Sequence, residues 1–501
     1  MSFPGIMLNE DNSHYFYSRA GEELTREKVA SWVDQYAGTQ VKELALNVNC
    51  MRTSYGSAVW DPIWRGYDPG APDDQPLLKS LRPEARKSAR KWIHTAWQLH
   101  RDGIDPYATW IARCREKGLS PWISMRMNDV HNVDDEQCYI HSEFWRDNPS
   151  LRRVPYRSAS WRDRAFDYGR KPVRDHHWRL VRELFERYDF DGFEMDWMRF
   201  GFHFRPGREQ EGALLLNAFT KRAKALARKW EQKRGHSIKL GARVPASHAS
   251  ALGLGMDAVE WARQGWVDML VPTPFFESID NGIRVDIWKK LLRDTSVLLA
   301  PGLELLIRPY PGCPGGALHT NSLQTLRGTA SSFLDQGADR IYLFNYMDSQ
   351  TAIDDLREYP VLLREIGAMA TMRGKPRRHV LTFQDTWAPG EPQAHALPAL
   401  IGKGGLGEFR LHTGPRPEAG KVAVFLGVEN AAAMGPGTLE VRLNGETCEY
   451  AGKAALPGPG APFPVHAYSA PIPAILRGRN LIEARANAEV RIGWVEIGIG
   501  Q

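Results

Sequence analysis

The sequence predicts a (β/α)8 barrel with long loops, followed by a C-terminal β-sandwich. Strand and helix patterns alternate over residues 1–370, helix patterns then stop near Arg373–Arg378, and short alternating strands fill residues 377–501.

Taken in order, Gly5–Asn9 reads as the first strand, and Thr25–Tyr36 carries Val29, Trp32, Val33 and Tyr36 at helical spacing. Val41–Asn49 is the second strand. An insertion rich in Trp, Pro, Gly and Asp (Tyr55–Leu81) leads to helices at Pro83–Arg101 and Pro106–Lys117. The third strand, Ser120–Asn128, is followed by a second insertion, His131–Arg170; loops this long usually carry function. Helix Val173–Arg187 feeds the fourth strand within Tyr188–Phe200. After it come helix Glu209–Lys233, strand Ile238–Val244, helix Ala258–Gln264 and strand Val267–Pro274. Helix Val285–Arg293, strand Val297–Glu304, helix Ser322–Gln336, strand Arg340–Tyr346 and helix Ala352–Gly367 complete the eightfold pattern. Beyond residue 377, strands are expected at Val380–Phe383, Val422–Val428, Leu439–Leu443, Leu481–Ala484 and Val490–Ile497, with a Gly/Pro turn at 457–462. Leu476–Glu483 has the look of a late turn and strand in a jelly-roll module.

The 501 residues are 43% hydrophobic and 25% charged, enough for one large and one smaller domain. No apolar run approaches 18 residues, so no membrane span is expected. The N-terminus lacks a basic, then apolar, then small-residue pattern, which predicts a cytoplasmic chain unless a leader was trimmed. Five scattered cysteines with no CxxC pair predict neither a disulfide framework nor a zinc site. The net charge of +6 is spread along the chain, so no nucleic-acid partner is expected. Both the GxGxxG and P-loop spacings are absent, and no cofactor or metal is predicted. Seventeen Trp and 16 Tyr supply flat faces of the kind that line sugar sites.

The chemistry centres on Asp191-Gly-Phe-Glu-Met-Asp-Trp-Met-Arg199. Glu194 and Asp196 share one strand face about 7 Å apart, costly to bury unless used or neutralised. Barrel active sites lie at the C-terminal strand ends. Those ends offer Asn47, Asn49, Arg126, Asn128, Trp197, Arg199, Arg243, Glu277, Glu304, Arg308, Asn345 and Tyr346 as well as the acid pair. Carboxylates on strands four and seven face each other across such a ring and suit glycoside hydrolysis. Glu304 is the candidate nucleophile, with Glu277 its rival. Glu194 and Asp196 are the candidate acid/base and its charged neighbour, in either order.

The same strand-four stretch resembles bacterial "family 10-like" glycoside-hydrolase proteins. It is also similar, more distantly, to the strand-four motifs of family 18 chitinases and α-amylases. The resemblance covers residues 1–370 and implies a carbohydrate hydrolase. Met198 stands where chitinases carry their proton donor, and Glu194 where α-amylases carry an arginine. A retaining glycosidase is therefore expected, with a carbohydrate substrate. Arg126, Arg199, Arg243 and Arg308 extend the expectation to an anionic, uronic or sulfated glycan. Two alternatives are a non-hydrolytic carbohydrate-binding barrel and a sugar-acid lyase or isomerase.

Overall fold

The computed structural model describes residues 4–314, 320–349, 353–430, 434–455 and 463–500. Its parallel sheet contains β1 (Ile6–Glu10), β2 (Val41–Asn47), β3 (Ser120–Arg126), β4 (Gly192–Asp196), β5 (Lys239–Pro245) and β6 (Met269–Thr273). The two-residue pieces β7 (Leu298–Leu299) and β8 (Gly302–Leu303), and then β9 (Ile341–Phe344), complete it. β7 and β8 are halves of one interrupted strand. Leu298–Leu299 pair with β6 and Gly302–Leu303 pair with β9, so residues 298–303 close the ring of a (β/α)8 barrel. The expected continuous strand Val297–Glu304 breaks at Pro301, which has no N–H to donate to a ladder.

The barrel interior is a packed core, separate from the larger shell between strands and helices. Met7, Ala45, Trp122, Met269, Val271, Ala300, Tyr342 and Phe344 fill it. Trp122 lies across the floor because its neighbours on β4 and β5 are glycines. A Cβ on Gly192 would fall 2.1 Å from the indole, and one on Gly241 2.9 Å. Small residues on two strands thus admit one large ring, which closes the barrel beneath the acid pair.

The surrounding helices include Pro83–Arg101, Pro106–Glu116, Lys171–Arg187, Glu209–Arg234 and Leu323–Asp335. Asp105 and Ser322 cap two of them, accepting from the N–H of Ala108 and Thr325. The pattern over Thr25–Tyr36 resolves into an α-helix, Arg26–Ser31, and a 3-10 turn, Trp32–Tyr36. The expected start at Ala352 lies outside the described residues; the helix there is Tyr359–Glu365, with Pro360 in its first turn.

The C-terminal strands are β10 (Arg377–Val380), β11 (Ala399–Ile401), β12 (Leu406–His412), β13 (Val422–Val428), β14 (Leu439–Leu443), β15 (Glu446–Ala454), β16 (Val465–Ala470), β17 (Arg479–Ala486) and β18 (Val490–Ile499). All pairings among them are antiparallel, along the path β10-β18-β13-β16-β15-β14-β17-β12. β15 joins the two faces: its start pairs with β14, its end with β16, and the register shifts between Tyr450 and Gly452. The expected turn at 457–462 lies outside the described residues. Leu476–Glu483 forms the turn and strand expected of it. Asn480, buried, donates to Thr413 and accepts from the Leu476 N–H and from Asn444.

This β unit packs against the barrel. Gly328, on the barrel helix Leu323–Asp335, lies so close to the backbone of Arg378 on β10 that a Cβ would fall 1.9 Å from its carbonyl oxygen. Arg378 in turn makes a buried fork onto Glu496 of β18, at 2.5 and 2.8 Å. Between β10 and β11, residues 381–398 return over the barrel loops that follow β5 and β6. Gln384 and Glu391 both bond to the Ser250 hydroxyl, each at 2.8 Å.

Candidate active site

In-register pairing aligns the inward-facing residues of β3, β4 and β5 in two layers. Ser124, Glu194 and Gly241 form the lower layer; Arg126, Asp196 and Arg243 form the upper. Glu194 is fully buried. Its Oε1 accepts from the Ser124 hydroxyl at 2.7 Å, the Tyr342 hydroxyl at 2.9 Å and Asn9 Nδ2 at 3.4 Å. Burial, and then the charge of Asp196, push its carboxyl up, while Arg243 and the two hydroxyl donors oppose the rise.

Asp196 is held differently. Its Oδ1 accepts from the N–H groups of Met198 and Arg199 at 3.1 and 2.8 Å, and its Oδ2 pairs with Arg243 at 2.7 Å. Bonds with an ionised partner are shorter and stronger than neutral ones. Arg243 is completely buried, with its guanidinium 3.8 Å from the centre of the Phe344 ring.

Glu304 follows β8 directly and is 1% exposed. Burial pushes its carboxyl up to about 8, against the pull of Arg199 and Arg243, and Asp385 adds to the push. Its backbone carbonyl accepts from the Tyr346 hydroxyl at 2.7 Å and from Asn321 Nδ2 at 2.9 Å, which fixes the strand end. Two buried carboxyl groups three strands apart around the ring thus have contrasting surroundings: one ion-paired, one held toward its neutral form.

The other expected residues separate into two groups. Arg126 and Arg199 reach the mouth, and Asn47 lies beside Ser124, donating to its carbonyl at 3.3 Å. Asn345 adopts φ 57° beside β1, its N–H bonded to the Asn9 carbonyl, with Oδ1 buried and unbonded. Asn49 and Asn128 instead serve the loops. Asn49 bridges to the backbone of Cys50 and Arg126, and Asn128 clamps the second insertion through both N–H and C=O of Phe166. Trp197 is not a sugar platform: strand alternation turns its ring outward, fully buried against Tyr168, His203 and Phe219. Glu277 is half-buried in the loop after β6, and Arg308 is half-buried with both its N–H and its carbonyl bonded to Ser278 Oγ.

Several residues at the site escape sequence reasoning. Tyr342 and Ser124 sit within strands, where they read as ordinary core. Asp11 and His131 lie in loops just past strand ends. Asp385 arrives from beyond the barrel altogether: its carboxylate accepts from the N–H groups of Phe275, Phe276 and Glu277 at 2.8–3.0 Å. Buried polar atoms without a protein partner collect around the mouth. They include Glu194 Oε2, Glu304 Oε2, Arg199 Nε and Nη1, Arg243 Nε and Nη2, and the Oδ1 atoms of Asn9 and Asn47. Native interiors leave few such atoms, so their convergence marks a place built to meet a polar ligand or water.

No protein-family model and no curated protein matches the chain. Solved structures with a similar fold include alpha-L-fucosidase isoenzyme 2 from Paenibacillus thiaminolyticus, with TM-score 0.43 and 13% identity over 72% of this chain and 48% of that one. They also include the ICChI chitinase from Ipomoea carnea (TM-score 0.32, 12% identity, 72% and 98%) and the GH36 alpha-galactosidase AgaB from Geobacillus stearothermophilus (0.36, 13%, 96% and 55%). The chain spans about half the length of the fucosidase and of the galactosidase. These neighbours are glycosidases, at identities that assign neither activity nor substrate to this chain.

Proposed function

We propose that the protein is a glycoside hydrolase in which Glu304 is the general acid/base and Asp196 the nucleophile, giving retention of configuration. The observation that carries this reading is the contrast between the two carboxyl groups. An acid that must protonate a leaving oxygen near neutral pH needs a raised pKa, and burial gives Glu304 one. A nucleophile must be charged, and Arg243 with two backbone N–H groups supports the charge on Asp196. Glu194, one layer below, is tied to Ser124 and Tyr342 and sets the floor of the site. These roles exchange those expected from strand order alone, in which Glu304 was the nucleophile.

The test is hydrolysis of a panel of aryl glycosides and oligosaccharides by wild type, Glu304→Gln and Asp196→Asn. Loss of a general acid costs on the order of 10²–10⁴ in rate. Glu304→Gln should therefore lose most turnover on poor leaving groups and least on activated aryl ones, and the first product seen by NMR should keep its anomeric configuration. Equal losses on all leaving groups, or an inverted first product, would overturn the assignment.

A further inference from the structure

The three arginines at the mouth are not equivalently paired. Arg126 lies between two carboxylates, Asp11 and Asp129, and also donates to Asn12 at 3.2 Å. Arg243 is paired with Asp196. Arg199, 7% exposed, makes its one side-chain hydrogen bond among the described residues to His131 Nε2, at 2.7 Å. A guanidinium has only donors, so that ring nitrogen accepts. The His131 proton therefore sits on Nδ1, which faces both oxygens of Asp129 at 2.8 and 2.9 Å. His131 is neutral in this arrangement, and Arg199 is left as a buried cation touching no carboxylate. Its Nε and Nη1 have no protein partner. A buried charge with no carboxylate in contact is expensive, and Asp129, Glu304 and Asp11 offset this one only from a distance.

The backbone invests in this placement. Phe200, the next residue, is held at φ 74°, a left-handed conformation costly for a bulky side chain and concentrated at functional sites. The Arg199 guanidinium lies 5.3–5.8 Å from the ring centres of Phe200, Phe275, Phe276 and Phe344. Phe276 is 45% exposed, so this aromatic cage opens to solvent on one side. A flat hydrophobic wall beside an unpaired guanidinium matches a sugar ring that carries an oxyanion.

We propose that Arg199 is a substrate-binding residue that takes a carboxylate or sulfate fixed to the sugar, making the substrate a uronic-acid-containing or sulfated glycan. The identity of the ligand as a sugar rests on the glycosidase reading above; the anion preference does not. The group would sit within the field of Glu304, which already feels the charge of Arg199. A neutral sugar's hydroxyl groups would accept from the Arg199 donors but bring no opposite charge.

The experiment is calorimetric binding of glucuronic, galacturonic, mannuronic and iduronic acids, each against its neutral parent sugar. N-acetylglucosamine 6-sulfate is set against N-acetylglucosamine in the same way. Wild type, Arg199→Met and Arg199→Lys are compared, with near-ultraviolet circular dichroism to confirm the fold. Wild type should bind at least one charged sugar ten times or more tightly than its parent. Arg199→Met should abolish that preference, and Arg199→Lys should keep part of it, because the charge survives and the fork does not. Preference for a uronate or for a sulfate identifies the source of the oxyanion. No preference in any pair, or a preference unchanged by Arg199→Met, would overturn the proposal. If the preference is present but no glycoside is cleaved, the glycosidase reading fails and the anion site stands.

Discussion

Glu304→Gln tests the electrostatics of the site without any substrate. The Glu304 carboxyl rises from an ordinary 4.5 to about 8 in the folded protein. The folded state therefore holds a proton that the unfolded chain releases between those values. Stability contributed by neutral Glu304 is fully present below pH 4.5 and is lost progressively as pH rises toward 8, at about 1.4 kcal/mol per pH unit. Above pH 8 the loss levels off at roughly 5 kcal/mol. Glutamine mimics the neutral form and does not titrate. The variant should match wild type near pH 4.5 and be increasingly more stable than it up to about pH 8.

For a barrel of this size, 1 kcal/mol moves the unfolding midpoint by about 1 °C. Thermal unfolding of wild type and variant at half-unit intervals from pH 4.5 to 9.5 should show a gap opening to about 5 °C. Other raised carboxyl groups, including Glu194 and Asp280, titrate in both proteins and cancel in the difference. Parallel curves, or a gap that widens toward acid, would refute both the burial argument and the assignment of Glu304 as the acid.

Two further outcomes follow from packing and from the segment after β10. Gly192→Ala places a methyl group against the Trp122 indole, and the overpacked floor should cost about 1–3 kcal/mol or more; Trp122→Leu in the same chain should recover part of the thermal midpoint. Asp385→Asn removes a charge that raises Glu304, so the Glu304 carboxyl should fall and the alkaline limb of kcat/KM should move to lower pH. An unmoved limb would show that Asp385 only braces the turn at Phe275–Glu277.

The fold was legible because it is written in repetition. Eight strand-to-helix alternations leave few architectures open, and the strands at Val422–Val428 and Leu439–Leu443 lie where alternation places them. The exceptions have local causes. Pro301 splits a strand that reads as continuous. The hairpin from β14 to β15 turns on Asn444-Gly445, both at positive φ, a strong short signal that the polar strand beyond it obscures. At the site, strand parity brings Glu194, Asp196 and Arg243 to the interior, and the same parity sends Trp197 out. Tyr342, Ser124 and His131 were not legible, because a hydroxyl or imidazole becomes a partner only when distant strands meet.

Asp385 is the case in which sequence order is least informative. It lies beyond the composition shift that separates the two halves of the chain, on a segment held at both ends by β18 through β10 and β11. Its carboxylate meets three successive N–H groups in the loop after β6, and its charge acts on Glu304. The β unit therefore contributes to the wall of the site. A chain cut near residue 370 would keep Glu194, Asp196, Arg243 and Glu304. It would lose the acceptor for Phe275–Glu277, on the same loop that carries the rings around Arg199. The two halves belong to one site because three successive backbone donors at Phe275–Glu277 find their acceptor in Asp385, which the C-terminal half brings.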